Sequence, residues 1–385
     1  MTRIAVIGAN GNVGSVLLRA LNDDPAVEAI AICRNAAGAA QLPDGRHELR
    51  LGSISNDAVA GRLIGDCEAV VNCAFAMGPP SEAARENLAM LRNIAAAPSV
   101  RNAVFLSTVA VHGLCPDAKR TSFEKPRWEN AYGKEKWRLE QETASVFARA
   151  GKKQVTVRLG HVYGPGQWLG REIVTLLRDP AFRLAFGGAR PSNAIHVDNA
   201  AAALRWLAGG PIEGLFNLTD FPQRTWRELF DRHAAVCGLE PAPALDDASS
   251  ETLRDQWRRE SRHSPMTRTI LDFGQWFRTL PYSRLVASEP LRAWLGGPVS
   301  SLSPRMQAKL KGKSAMATVR AMIAALPGQS NVTRPWHFAD AVPGPHISFD
   351  NVPPFTTQEQ RDAELRQWYL QTLPTAPIFA EDGAA

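Results

Sequence analysis

MTRIAVIGANGNVG, running from Met1 to Gly14, is the stretch whose reading decides the fold. Ile4-Ala5-Val6-Ile7 is a short apolar run of the kind needed by a strand covered on both faces. It stops at Gly8, and glycines recur at Gly11 and Gly14 before Val16, Leu17, Leu18 and Leu21 take up a helical period. Strand, glycine turn and helix in succession predict a dinucleotide site. Gly8 would permit the tight turn, Gly11 would admit the main chain to a pyrophosphate, and Gly14 would let helix pack against strand. With Asn12 and Val13 completing the turn, the first N–H groups of the helix would point at the phosphates. The alternative is an ordinary strand–turn–helix with glycines serving geometry alone. The motif's place, directly after a clean first strand, disfavours it.

Working outward, 385 residues allow one large domain or two ordinary ones. A hydrophobic share of 45% with 21% charged residues is that of a globular protein. No apolar run approaches the about 18 residues of a membrane span, and the N-terminus enters the fold with no room for a signal peptide. The five cysteines (33, 67, 73, 115 and 237) include no C-x-x-C pair, so a reducing, cytoplasmic setting is expected and no metal site is read. The net charge of +6 is uneven: residues 251–330 hold 13 Lys/Arg against 5 Asp/Glu. Without a nucleic-acid motif, that segment reads as a solvated face. No nucleic-acid partner is expected.

Strand and helix patterns alternate along the first 160 residues. Val27 to Cys33, His47 to Leu51, Ala69 to Ala74, Val100 to Thr108 and Gln154 to Leu159 read as strands. Helices are expected over Glu82 to Ala97 and Asn130 to Arg149. Such alternation implies right-handed βαβ units and a doubly wound parallel sheet of Rossmann type. The expected division is a dinucleotide-binding domain over 1–160, with returning segments near 192–220. A smaller, mostly helical substrate lobe with a long C-terminal extension would follow over 161–385. Residues 305–326 are basic and partly apolar, but the apolar positions share no face and Gly312 interrupts them, so packing is read there and not a membrane surface. The ten tryptophans read as core first.

Two positions bear on chemistry. The residue ending the second strand chooses the adenosine ribose, an acid for a free 2′-hydroxyl and an arginine for a 2′-phosphate. Here Arg34 follows Cys33, so NADP is the expected cofactor and NAD the alternative. In AYGKEK (131–136), Tyr132 and Lys136 are four apart and share a helix face. A nearby ammonium favours the phenolate of a tyrosine otherwise too weak a base at neutral pH. Thr108 or Ser107, at the carboxyl end of a strand, could orient the substrate oxygen.

These pieces carry a resemblance. GANGNVG at 8–14, FLSTVAVHG at 105–113, YGKEK at 132–136, RLGHVYGPG at 158–166 and IHVDNAA at 195–201 resemble the extended short-chain dehydrogenase/reductase family, the NAD(P)-dependent epimerase/dehydratase group. They fall in family order over about residues 1 to 220. The resemblance implies that Tyr132 is the catalytic acid or base, that Lys136 holds the nicotinamide ribose, and that Thr108 bonds the reacting oxygen. It also places Ser53, Ile54, Cys73, Ala74, Asn87 and Ser107 along the cofactor, and His161 and His196 beside Tyr163, Pro165 and Asp198 at the substrate. His196 and Asp198 also read as a structural pair packing the second lobe.

Four departures qualify it. Arg34 replaces the family's acid, Ser53 replaces its aspartate after the third strand, and His161 stands where nucleotide-sugar members often carry Asn. Val109-Ala110 follow Thr108 where the dehydratases have Asp-Glu, which disfavours 4,6-dehydration. The expected activity is hydride transfer at a carbinol or ketone carbon, by an oxidoreductase or epimerase, with a nucleotide sugar as one substrate class. A ketoreductase acting on an apolar, sterol-like or polyketide-like alcohol is the alternative, and an NADP-sensing binding protein the rival from another class. The expected partner is a small-molecule substrate. A homodimer is compatible with the sequence.

Overall fold

A computed structural model of the chain describes residues 1–78, 80–113, 131–210, 212–220, 222–260, 337, 339–347 and 358–372. The chain divides into two units, Met1–Ser250 with Asn331–Ala385, and Glu251–Ser330. Of the second, the described residues are the end of helix α9 (Asp247–Glu260). The basic, partly apolar stretch at 305–326 lies outside the described residues.

The first unit is built on a seven-stranded parallel sheet in the order β3-β2-β1-β4-β5-β6-β9. Its centre is β1 (Thr2–Ile7), paired in register with β2 (Val27–Cys33) on one side and β4 (Ala69–Asn72) on the other. β3 (Glu48–Leu51) forms one edge. β5 (Asn102–Thr108), β6 (Lys153–Leu159) and β9 (Gly214–Leu218) extend the other side. The near-continuous apolar runs of β1, β2 and β4 are what two covered faces demand. The strand order reverses between β1 and β4, and the crevice at their carboxyl ends is where such sheets bind ligands.

Both faces are covered as the helical periods require. α1 (Gly14–Asn22) and α7 (Val197–Ala208) bury Leu17, Leu21, Leu204 and Leu207 completely on one face. α3 (Asp57–Ile64), α4 (Pro80–Ala96) and α5 (Ala131–Ala150) put Leu63, Ile94 and Phe147 against the other. Four elements go unmarked in the sequence reading. They are α2 (Ala36–Ala39), α3, the strand β7 (His161–Tyr163) and α6 (Trp168–Leu177). The first two are short, and their start signals lie in side chains: Asn35 accepts from Gly38 N–H and Asn56 from Ala58 N–H.

β7 pairs with β8 (Ala194–His196) in a separate two-stranded parallel sheet. A second apolar cluster forms beside it from Tyr163, Leu169, Ile173, Phe182, Trp226 and Phe230. Trp226 is fully buried, as the core reading of the tryptophans expects, whereas Trp168 is 48% exposed. α8 (Trp226–Cys237) closes this lobe. It is started by a reciprocal Thr225–Glu228 capping box and stopped by Gly238 in the left-handed region. The helix Gln358–Thr372 packs on it through Leu365 and Tyr369. Among the described residues no helix is long and apolar enough to cross a membrane.

Gly14 is the tightest point of the frame. A Cβ there would stand 2.2 Å from the Gly8 carbonyl oxygen. Gly14→Ala should therefore force α1 off the sheet, lowering stability by about 1–3 kcal/mol in a urea titration. Unchanged stability would show that the turn gives way freely.

Candidate active site

The glycine turn occupies the crevice at the switch point. Gly8 has φ +76°, and a Cβ on it would lie 3.0 Å from Ala74 N, so the chain after β1 and the chain after β4 touch because neither carries bulk there. Gly8 N–H bonds Ile32 and Gly11 N–H bonds Gly8, fixing the loop that carries Asn12 and Val13. Val13 caps α1 in helical geometry with no side-chain hydrogen bond. The first N–H groups of α1 are thus left without a capping oxygen from a side chain, which suits a phosphate. Residues present therefore fit a dinucleotide pyrophosphate. Gln167, buried at the start of α6, donates from Nε2 to Asn12 O at 3.1 Å. The sequence reading passed over Gln167; its one signal was its place after the Tyr163-Gly164-Pro165-Gly166 turn.

The adenosine side is ordered by short polar clamps. Arg34 points into solvent and donates to Glu86 of α4 at 2.9 Å. Ser53 bonds Ser55, and buried Ile54 has its carbonyl held by Asn93 Nδ2 at 2.8 Å. Asn87 is buried and clasps the main chain of Ala76 twice, accepting from N–H at 2.8 Å and donating to C=O at 3.2 Å. Its side chain therefore holds the loop after β4. Cys73 N–H bonds Ile7 O, and Ala74 N–H bonds the Asn72 side chain. Burial pushes the Cys73 thiol up to about 12, against the pull of Lys136.

α5 and β5 meet as a ladder. Tyr132, Lys136 and Glu140 recur every fourth residue on the helix. Lys136 is 7% exposed; its Nζ donates to Leu106 O at 2.8 Å and stands 4.3 Å over the Phe75 ring. Burial pushes its ammonium down to about 8, while Cys73 and Glu140 pull the other way. Tyr132 packs edge-on to Phe75 with ring centroids 5.4 Å apart, and its own ring centroid lies 5.8 Å from Lys136 Nζ. Desolvation pushes its phenol up to about 12. The residue remains 42% exposed, so water moderates that shift, and what stands is the direction. Thr108 accepts from Ala110 N–H, which leaves its own hydroxyl proton for a ligand. The Ser107 side chain turns elsewhere: it is buried and donates to Glu140 at 2.5 Å.

On the substrate side, burial lowers His161 to about 4, so its imidazole is neutral at physiological pH, tilted against Trp226. His196 is 2% exposed and lies edge-on to Tyr163. Its Nδ1 accepts from Asp198 N–H, capping α7, while its own N–H bonds Asp220. Asp220 also receives Tyr163 and Asn199, so the pair His196 and Asp198 sits within a packed polar knot. The structure brings Tyr132 and Lys136 together beside Phe75, with Lys136 bonded to the strand that Thr108 ends; Ser107 bonds Glu140 and His196 caps α7. Among the described residues no cluster of His, Cys, Asp or Glu could hold a metal ion.

Glycine turn, Tyr–Lys helix and strand-end threonine are the features expected from the sequence for a dinucleotide-dependent redox site, and comparisons with known proteins bear on them. Residues 4–183 match the model of the NAD dependent epimerase/dehydratase family. A 2′-dehydrokanamycin reductase of Streptomyces kanamyceticus is 28% identical over 266 residues, which cover 66% of this chain and 72% of that protein. The UDP-glucose 4-epimerase of Thermotoga maritima, solved with UDP-glucose, superposes with TM-score 0.53 at 20% identity, over 64% of this chain and 86% of that one. The structure of gox2253 aligns over 96% of this chain and 98% of its own with TM-score 0.60 at 17% identity. These structures share the fold. The chain is an enzyme of the oxidoreductase or epimerase type.

Tyr132→Phe removes the hydroxyl and leaves the ring against Phe75. It should cut turnover by about 10²–10⁴-fold with nicotinamide binding retained. Loss of binding together with turnover would place Tyr132 in cofactor recognition instead.

Proposed function

We propose that the protein is an NADPH-preferring reductase that converts a ketone of a small polyhydroxylated substrate to an alcohol. The observation that carries this reading is the pairing of Tyr132 with the buried Lys136, whose Nζ lies 5.8 Å from the Tyr132 ring centroid. A tyrosine phenol holds its proton at neutral pH, and that proton is the one ketone reduction consumes. The bound dinucleotide supplies hydride to the carbonyl carbon. Tyr132 passes its proton to the carbonyl oxygen, Thr108 donates a hydrogen bond that holds that oxygen, and Lys136 then favours the phenolate left behind. Solvent returns the proton through the open side of Tyr132.

The neutral His161 offers no charge to a diphosphate, which turns the reading away from nucleotide sugars and toward an uncharged substrate. Similarity to a 2′-dehydrokanamycin reductase supports reduction as the direction of the reaction. An epimerase runs the same transfer twice, with the ketone turned over before hydride returns. The likeness to 4-epimerases supports that second reading.

NADPH preference rests on Arg34, the one cation following β2, with Glu86 as its counter-ion. In a fluorescence titration, NADPH should bind more tightly than NADH, and Arg34→Ala should remove the difference. Glu86→Gln frees the guanidinium for a 2′-phosphate and should tighten NADPH by about threefold to tenfold without changing NADH. Equal binding of both cofactors, or nicotinamide retained through purification, would overturn the preference and favour the epimerase.

A further inference from the structure

Behind Lys136 lies a second charged group that the reaction as drawn does not use. Glu140 is buried, one helical turn beyond Lys136 on the same face of α5. Arg158 of β6 grips it with two hydrogen bonds, Nε to Oε1 at 3.0 Å and Nη2 to Oε2 at 2.8 Å. Ser107 adds a third to Oε1 at 2.5 Å. Sheet register explains the convergence, because Ser107 and Arg158 are direct partners across β5 and β6 and so present their side chains to α5 together. Lys136 in turn bonds the carbonyl of Leu106, the residue before Ser107. Neighbouring residues of β5 thus receive two turns of α5: Leu106 accepts from Lys136 and Ser107 donates to Glu140. Lys136 and Glu140 line one small cavity with Asn72, Asn87 and Ser107.

We infer that Glu140 is the positioning residue of the site: it keeps the buried Lys136 ammonium charged and, through Ser107 and Arg158, fixes the helix that carries Tyr132 and Lys136 to β5 and β6. The physical need is plain. An ammonium withdrawn from water tends to shed its proton, and a fixed carboxylate at the next turn opposes that loss. Arg158 and Ser107 hold the carboxylate still and satisfy its oxygens, so that it acts on Lys136 through space without collapsing onto it. Lys136 is faced by Cys73 at the end of β4 and by Tyr132 and Glu140 on its own helix. Behind Glu140 stand Arg158 and His112, 3.4 Å apart. From β5 and α4 come the neutral Ser107 and Asn87. Of these groups Glu140 is the buried anion, and its removal has a direction: Lys136 loses its charge at lower pH.

This inference rests on the reading of the site as a nicotinamide site held by Lys136, and the experiment separates the two. NADPH affinity is measured by fluorescence from pH 7 to 10 in the whole protein. Wild type should lose affinity as pH rises through about 8, where the ammonium discharges, and Lys136→Met should be weak and flat. Glu140→Gln should move the wild-type midpoint down by about one pH unit, and Glu140→Asp should restore most of it. Because Glu140→Gln strands a buried Arg158, the double variant Glu140→Gln, Arg158→Met is measured beside it, since both charges then leave together. A smaller downward shift is expected there, because the Arg158 cation, which opposes Glu140 at Lys136, leaves with it. A midpoint unmoved in the folded Gln and double variants, with affinity lowered equally at every pH, would reduce Glu140 to a packing role and overturn the inference alone. A wild type that binds neither NADPH nor NADH would sink the cofactor reading with it.

Discussion

The approach of two backbones without side chains between them is the constraint on which this structure depends. The turn after β1 and the loop after β4 meet at Gly8 and Ala74, and α1 lies on the turn at Gly14, where no Cβ could be housed. That contact sets how close α1 comes to the sheet and leaves its first N–H groups facing the crevice. Everything the site does follows from the crevice being narrow there: Cys73 and Lys136 line its far wall, Asn87 ties the loop to α4, and Gln167 ties the turn to the second lobe.

Around that crevice the protein uses burial to set charge. Lys136 and Tyr132 are both pushed toward their neutral forms by loss of water. For a ketone reductase this is a consistent pairing, since the tyrosine must hold a proton at rest and the lysine must be ready to stabilise its loss. His161 is neutral for the same reason. Charge is placed where partners hold it, at Glu140 with Arg158 and Ser107, or where water screens it, as at Arg34 with Glu86.

Most of the frame was legible in the chain. Val27 to Cys33 is the second strand to the residue, and the helix that carries Tyr132 and Lys136 is displaced by one residue from its expected bounds. These elements carry long apolar runs or an unbroken period, and such patterns survive any tertiary context. α2 and α3 went unseen because short helices offer too few turns for a period to show, and β7 because three residues carry none. Glu140 escaped for a different reason. On a helix an acid four residues past a lysine reads as an exposed pair, and only the register of β5 with β6 shows that Arg158 and Ser107 meet it in the interior.

By itself, the sequence determined the sheet, the glycine turn and the placing of Tyr132 and Lys136 on one helix face, since each is written in local pattern: period, small residues at a turn, two side chains one helical turn apart. The tertiary structure decided what those residues are used for. It bonded Ser107 to Glu140, made His196 a helix cap, gave Arg34 a counter-ion from α4, and buried Lys136 deeply enough to change its readiness to hold a proton. Each of these depends on which groups from distant segments lie within a few ångströms and how much water they displace, and no local pattern encodes that.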